Sequence, residues 1–143
     1  MDSKKKFLDA MENKICKKID KKGRLYFEVT NENLHEVVNF LFKEMGCRLS
    51  TATGTELYAG IEVLYHFSHD PTGIYFCPRV LMTDKKNPRM NSITPIVRGA
   101  EWIEREMAEM LGVDFIGHPR KEPLLTKNNP GNLDKPLRVR SVS

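Results

Sequence analysis

Hydrophobic and polar positions along the chain change period several times, and each change predicts an element. Phe7, Leu8, Met11, Ile15 and Ile19 recur at helical spacing among lysines, which predicts a narrow-striped first helix. Leu25, Phe27 and Val29 then alternate with Tyr26 and Glu28, the two-residue period of a half-buried strand. Thr30 or Asn31 can cap a second helical stripe, formed by Leu34, Val37, Val38, Leu41 and Met45 and ended by Gly46. From Arg48 to Thr83 the period is extended again. Leu49, Thr51 and Thr53 lead to Gly54, and Ile61, Val63, Tyr65 and Phe67 alternate; after the turn Asp70-Pro71-Thr72-Gly73 come Ile74, Phe76, Val80 and Met82. This pattern predicts three successive strands paired as an antiparallel meander, followed by a polar loop from Asp84 to Asn91.

The next segment, Ala100 to Leu111, is a charged amphipathic helix. At 100° per residue, Trp102, Ile103, Met107, Met110 and Leu111 fall on one arc, with Glu101, Glu104, Arg105 and Glu109 on the other. Glu106 lies inside the apolar arc. A carboxylate there needs a partner, because an isolated buried charge costs several kcal/mol. The partner is either an Arg or backbone donor on a neighbouring subunit or an internal group, and the sequence leaves both open. Glu101, Arg105 and Glu109 are spaced for i,i+4 pairs along an exposed face, worth a few tenths of a kcal/mol each.

After Leu111 the periodicity dissolves under Gly112, Gly117, Pro119, Pro123, Pro130, Gly131 and Pro136. Residues 112–143 cannot build their own core, yet Val113, Phe115, Ile116, Leu124 and Leu125 are too apolar for a purely solvated linker. Fully extended they reach roughly 100 Å, far enough to wrap a neighbour. The expected architecture is therefore α+β: a compact domain over 1–111, with a small, mostly antiparallel sheet packed with helices, and an extended C-terminal arm over 112–143.

Composition narrows the function classes. With 143 residues and 40% hydrophobic content the chain has material for one core. No stretch approaches the roughly 20 apolar residues that span a bilayer, and the expectation is a cytoplasmic protein whose link to a membrane is indirect. Cys16, Cys47 and Cys77 are about thirty residues apart, so they suggest three thiols rather than disulfides or a CxxC ligand pair. The net charge of +4 is concentrated at the ends: residues 1–22 carry eight lysines. That distribution suits an acidic protein surface or plain solvation better than a nucleic-acid face.

The segment from Ala100 to Leu125 also carries a recognisable set of offsets: Trp102, Glu104, Arg105, Glu106, Glu109, Met110, Leu111, Gly112, Phe115, Gly117, His118, Pro119, Leu124 and Leu125. It resembles the signature of the 30 kDa subunit family of respiratory complex I and its hydrogenase relatives. The resemblance covers most of Ile61 to Arg138, with Ser92-Ile93-Thr94-Pro95 and Gly99-Ala100 ahead of the helix and Gly131 with Pro136, Leu137 and Arg138 behind it. It implies a non-catalytic accessory subunit on the cytoplasmic side of the membrane, within a peripheral arm, whose C-terminal strap lies along a large catalytic subunit and steadies it against an iron–sulfur small subunit. It also implies that this chain binds no cofactor, and that the iron–sulfur clusters and a nickel–iron centre belong to the partners. Trp102, Glu104, Arg105, Glu106, Glu109, Gly112, Phe115, Gly117, His118, Pro119, Leu124, Leu125, Pro136, Leu137 and Arg138 would then form the subunit interface. Glu122, Ile103 and Met107-Ala108-Glu109 depart from the respiratory pattern. Those departures point toward an energy-converting [NiFe] hydrogenase, with the C subunit of a quinone-reducing complex I or a sulfur-reducing relative as the alternative. A stand-alone basic binding module is the competing class.

Two further patterns carry less. His66, His69 and Asp70 form an HxxHD string, but histidines three apart on a strand point to opposite faces and suit a metal poorly. His118 has no second His, Cys or carboxylate at a characteristic spacing, and is read as anchoring the arm rather than as a general base.

Overall fold

The computed structural model describes residues 3–119. A first helix, α1 (Ser3–Met11), gives way to a short 3-10 turn and then a hairpin of β1 (Ile15–Lys21) and β2 (Arg24–Val29). The helical stripe read through Ile15 and Ile19 therefore stops at Met11. Ile15 and Ile19 lie on a strand, where the lysines between them face solvent at the edge of the sheet. Helix α2 (Asn31–Asn39) continues into a π-type turn over Phe40–Glu44. Gly46, at a φ of 69°, then turns the chain into the meander of β3 (Arg48–Leu57), β4 (Gly60–His69) and β5 (Ile74–Met82).

The five strands form one sheet in the order β1-β2-β5-β4-β3. Each neighbouring pair is antiparallel except β2 with β5, which run parallel. Alternation decides which face is covered. Leu25, Phe27 and Val29 of β2, and Ile61, Val63, Tyr65 and Phe67 of β4, are buried together with Leu34, Val37, Val38 and Leu41 of α2. Phe7 of α1 closes the core, its ring 4.9 Å from that of Phe27 and 5.2 Å from that of Phe76. Burying such a ring stabilises the fold by about 1.5–3 kcal/mol, and Leu8 and Met11 packed beside it help to hold the lysine-rich helix in place.

Helix α3 (Glu101–Leu111) lies over β3. The approach is close at Gly54, where a Cβ would run into the end of the Leu111 side chain and sit 3.3 Å from Met107 Sδ. Gly112 ends the helix at a φ of 77°, with its N–H donating to the Ala108 carbonyl at 2.9 Å. That left-handed cap favours glycine because it lacks a Cβ.

Beyond the cap the chain does not leave the domain at once. Residues Asp114–Ile116 form β7, which pairs in parallel with β6 (Arg89–Asn91) out of the expected polar loop. Val113 and Phe115 are buried in the same core as the sheet. The arm expected to begin at Gly112 is therefore domain structure at least to His118; residues 120–143 lie outside the described part. Sequence periodicity missed β7 because three residues are too few to show an alternation.

Candidate functional site

Helix α3 and the loop that returns from it bring together most of the expected interface residues, but not on the faces the helical wheel assigned. Glu104 is completely buried, while Glu106 is exposed and Trp102 is 60% exposed. Glu106 therefore does not lie in the apolar arc: the buried face turns toward Glu104, Met107 and Leu111. The wheel failed because Trp102 and Met110 were counted as inward and Glu104 as outward, and a carboxylate can be buried when it finds enough donors.

Glu104 finds four. Its Oε2 accepts from the Tyr65 hydroxyl at 2.6 Å and from the Ile93 backbone N–H at 3.0 Å. Its Oε1 accepts from the hydroxyls of Ser92 at 2.5 Å and Thr94 at 2.7 Å. Ser92 Oγ in turn accepts the Thr94 N–H at 3.0 Å, which fixes the bend that aims all three groups at the carboxylate. Burial first, and then the facing Glu104 carboxylate, push the Tyr65 phenol well above its ordinary range, so it remains a donor. One side chain of α3 thus stitches the helix to β4 and to the segment entering it.

A second set of contacts ties that segment to α2. The His35 Nε2–H donates to the Ser92 carbonyl at 2.7 Å, and Asn31 Oδ1 accepts the Asn91 N–H at 2.6 Å. Tyr65, Thr94, Asn31 and His35 were not marked as functional in the sequence. The only available signal was the Ser92-Ile93-Thr94 run before the helix, and nothing local points to Tyr65.

The other expected residues sort by exposure. Arg105 and Glu109 are buried to within 8% and 7% exposure, and the Arg105 guanidinium lies 5.0 Å from the centre of the Trp102 ring. Phe115 is a core residue, and Gly112 is the helix cap. Gly117, at a φ of 86°, turns the chain so that the His118 ring donates from Nε2 to the Glu101 carbonyl at 2.9 Å. His118 thus ties the returning loop to the first turn of α3, as an anchor does. Pro119 is the last described residue; Leu124, Leu125, Pro136, Leu137 and Arg138 lie outside the described part.

Other chemistry finds little support. His66 Nδ1 is 3.6 Å from Cys77 Sγ, but burial pushes that thiol up to about 11 and lowers the imidazole, the opposite of a thiolate–imidazolium pair. His69 meets Thr72 rather than His66. Among the described residues no group of His, Cys, Asp and Glu is placed to hold a metal ion, and no helix is long and apolar enough to cross a membrane.

The fold of this five-stranded α+β domain is shared by solved structures. A trypsin-resistant fragment (1-134) of Nqo5 superposes with a TM-score of 0.68 at 22% identity, covering 82% of this chain and 97% of that one. A chain of the membrane-bound sulfane sulfur reductase, an archaeal respiratory membrane complex, superposes with a TM-score of 0.71 at 22% identity, covering 93% and 76%.

The family described as respiratory-chain NADH dehydrogenase, 30 Kd subunit, matches residues 27–141, and the chain belongs to it. Its relatives include the C subunit of NADH-quinone oxidoreductase from Ruegeria pomeroyi, 31% identical over 73% of this chain and 54% of that protein. The corresponding protein of Roseiflexus sp. (strain RS-1) is 30% identical over 94% of this chain and 82% of that protein. The chain thus spans about half the length of the first of these relatives.

Proposed function

We propose that this chain is a non-catalytic subunit of the peripheral arm of a membrane-bound, complex I-related respiratory complex, on the cytoplasmic side. There it steadies a large catalytic subunit against an iron–sulfur small subunit so that electron-transfer distances stay fixed. The observation that carries this reading is the outer side of α3. Trp102 leaves 60% of its surface in water while Arg105 lies across its ring, and the neighbouring Glu101 carbonyl is the one that His118 binds. Trp is among the residues most often found at the energetic centre of protein interfaces. Glu104, which holds four donors, and His118, which holds a carbonyl, are both used in packing the domain, which suits a structural role for them.

Within that class, we assign the complex to the energy-converting [NiFe] hydrogenase branch, on the departures at Ile103, Met107-Ala108-Glu109 and Glu122. The nickel–iron centre and the iron–sulfur clusters then belong to the partners, and this chain holds no cofactor. A quinone- or sulfur-reducing complex is the second reading, favoured by the names of the relatives and of the sulfane sulfur reductase neighbour.

A tagged full-length copy expressed in its native cell tests both levels. It is expected to co-purify with a large subunit and an iron–sulfur subunit, and nickel in the purified complex separates the two readings. Deleting residues 120–143, rather than 112–143, is expected to abolish co-purification while the domain stays folded, because residues 113–118 are part of the packed unit. A stable monomer without partners in native extracts would overturn the proposal.

A further inference from the structure

Charge divides this chain into three blocks. Residues 3–24 hold nine Lys and Arg against Asp9, Glu12 and Asp20, a net charge of +6. Residues 25–119 hold eight against thirteen Asp and Glu, or −5, and residues 120–143 hold six against Glu122 and Asp134, or +4. The two basic blocks repel each other, so within the chain the complement of residues 120–143 is the acidic middle. The first block is partly used locally, by Lys4 with Asp20, Lys14 with Glu36 and Lys18 with Glu12. Its remaining cations include those of the β1–β2 hairpin, Lys17, Lys21 and Arg24.

The sheet gives that charge a shape. Phe7 of α1, the α2 stripe and α3 pack on the face that carries Phe27, Phe76 and Gly54, whereas Ile19, Tyr26 and Cys77 lie in register across the other face. There a groove of about 300 Å³ has Ile19, Tyr26 and Leu64 among its walls. Its floor balances two cations against two carboxylates: Arg79 bridges Glu28 at 3.2 Å and Glu62 at 3.1 Å, and Lys17 meets Glu28 at 3.3 Å. Its rim is positive. Lys21 Nζ lies 5.7 Å from the centre of the Tyr26 ring, and Arg24, opposite Lys21 in the hairpin, lies 5.7 Å from that of Tyr75 and donates to the Tyr26 hydroxyl at 3.4 Å. The rings position these two cations without neutralising them. Ile19, 54% exposed among the lysines, puts apolar surface at the same place.

We propose that this groove docks an acidic segment of a partner polypeptide, with one apolar side chain entering beside Ile19 and Leu64 and carboxylates meeting Lys21 and Arg24. Charge then steers the encounter and fixes the register, and the apolar contact adds residence. The chain's own residues 120–143 are a poor occupant. They are basic themselves, and they follow His118, which is tied to α3 above β3 at the opposite edge of the sheet. The membership of the partner in the same complex rests on the function proposed above; the docking itself rests on the groove and its charge.

Lysine acetylation by an N-hydroxysuccinimide ester, compared between the purified full chain and the complex captured with a tagged copy, tests this directly. Lys21 is expected to react about tenfold or more slowly in the complex. A carbodiimide, which joins an amine to a carboxylate in contact with it, is expected to link Lys21 to an Asp or Glu of a different polypeptide. The matching variant is Lys21→Glu with Arg24→Glu. The two face each other across the hairpin, so one like-charge pair replaces another and the thermal midpoint is expected to stay close to that of the parent chain. Capture of the partner is expected to fall about tenfold or more at low salt, with the difference shrinking as salt rises. If that variant does not fold, acetylation and cross-linking of the parent chain decide alone. An unchanged rate at Lys21 in an intact complex would overturn the inference and leave the subunit reading standing, whereas a chain with no partner overturns both. A link from Lys21 to Glu122 or Asp134 of the same chain, or to a second copy, would overturn the assignment to a different polypeptide. So would protection that is lost on treating the complex with nuclease or on replacing its lipid with detergent.

Discussion

The two sides of α3 carry residues of the same family signature and put them to opposite uses. Glu104 faces inward and is held by three hydroxyls and a backbone N–H; Trp102 and Glu106 face outward, with Arg105 laid across the Trp102 ring. A signature read as one interface is thus half a fold lock. The lock matters for docking, because it sets the rotation of the helix and so decides which residues reach solvent. Substitutions on the inner side are expected to act on stability, and those on the outer side on assembly.

The sharpest way to break this division is Glu104→Ala. It leaves the hydroxyls of Tyr65, Ser92 and Thr94 and the Ile93 N–H facing a cavity, and is expected to cost about 3–5 kcal/mol in chemical denaturation. That is much of the stability of an ordinary domain. Glu104→Gln keeps the shape. Its NH2 group can face Ser92 and Thr94, whose hydroxyls rotate to accept, while its oxygen still serves Tyr65 and the rigid Ile93 N–H. A loss of about 1–2 kcal/mol is expected for it. A Glu104→Ala variant no less stable than Glu106→Ala would mean that the helix is rotated as the sequence periodicity implied.

A smaller effect belongs to His118, which sits with the inner side although it follows the helix in sequence. His118→Ala removes the bond to the Glu101 carbonyl and is expected to cost about 1 kcal/mol, measured as a shift of the denaturation midpoint at constant slope. A loss of activity or assembly with stability unchanged would instead make His118 a surface residue in function, and would blur the comparison.

How legible these regions were depends on how much their residues obey simple patterning. Strand β2, the middle of β4 and helix α2 alternate or stripe because each has one mainly buried face, and the sequence predicts them directly. Strand β5 is marked instead by the turn before it and by Ile74, Phe76, Val80 and Met82, although Phe76, Cys77 and Pro78 are buried in succession. The start of β1 was hidden because an edge strand with lysines on both faces has no alternation to read. Ile15 and Ile19 happened to extend the spacing of Phe7 and Met11. The phase of α3 was hidden for a different reason: its buried carboxylate is satisfied by Tyr65, 39 residues away in sequence, and no local pattern can announce such a partner. The parallel pairing of β2 with β5 was equally out of reach, since alternation reveals a strand's faces but not its neighbours.

The outer side gives the smallest change in stability and the clearest separation from the inner one. Trp102→Ala removes a ring that is 60% exposed, so little buried surface is lost and the expected change in stability is within about 0.5 kcal/mol. If that ring sits at the centre of a contact between subunits, the same substitution is expected to weaken capture of the large subunit by about 2 kcal/mol, or roughly thirtyfold. Glu106→Ala serves as the neighbouring control. It shares the exposed face but offers no aromatic surface, so a weaker effect on capture is expected together with an equally small effect on stability. Equal losses of capture for the two variants would assign the contact to charge rather than to the indole. A large loss of stability for Trp102→Ala would show the ring to be part of the core and remove the division between the two sides of α3.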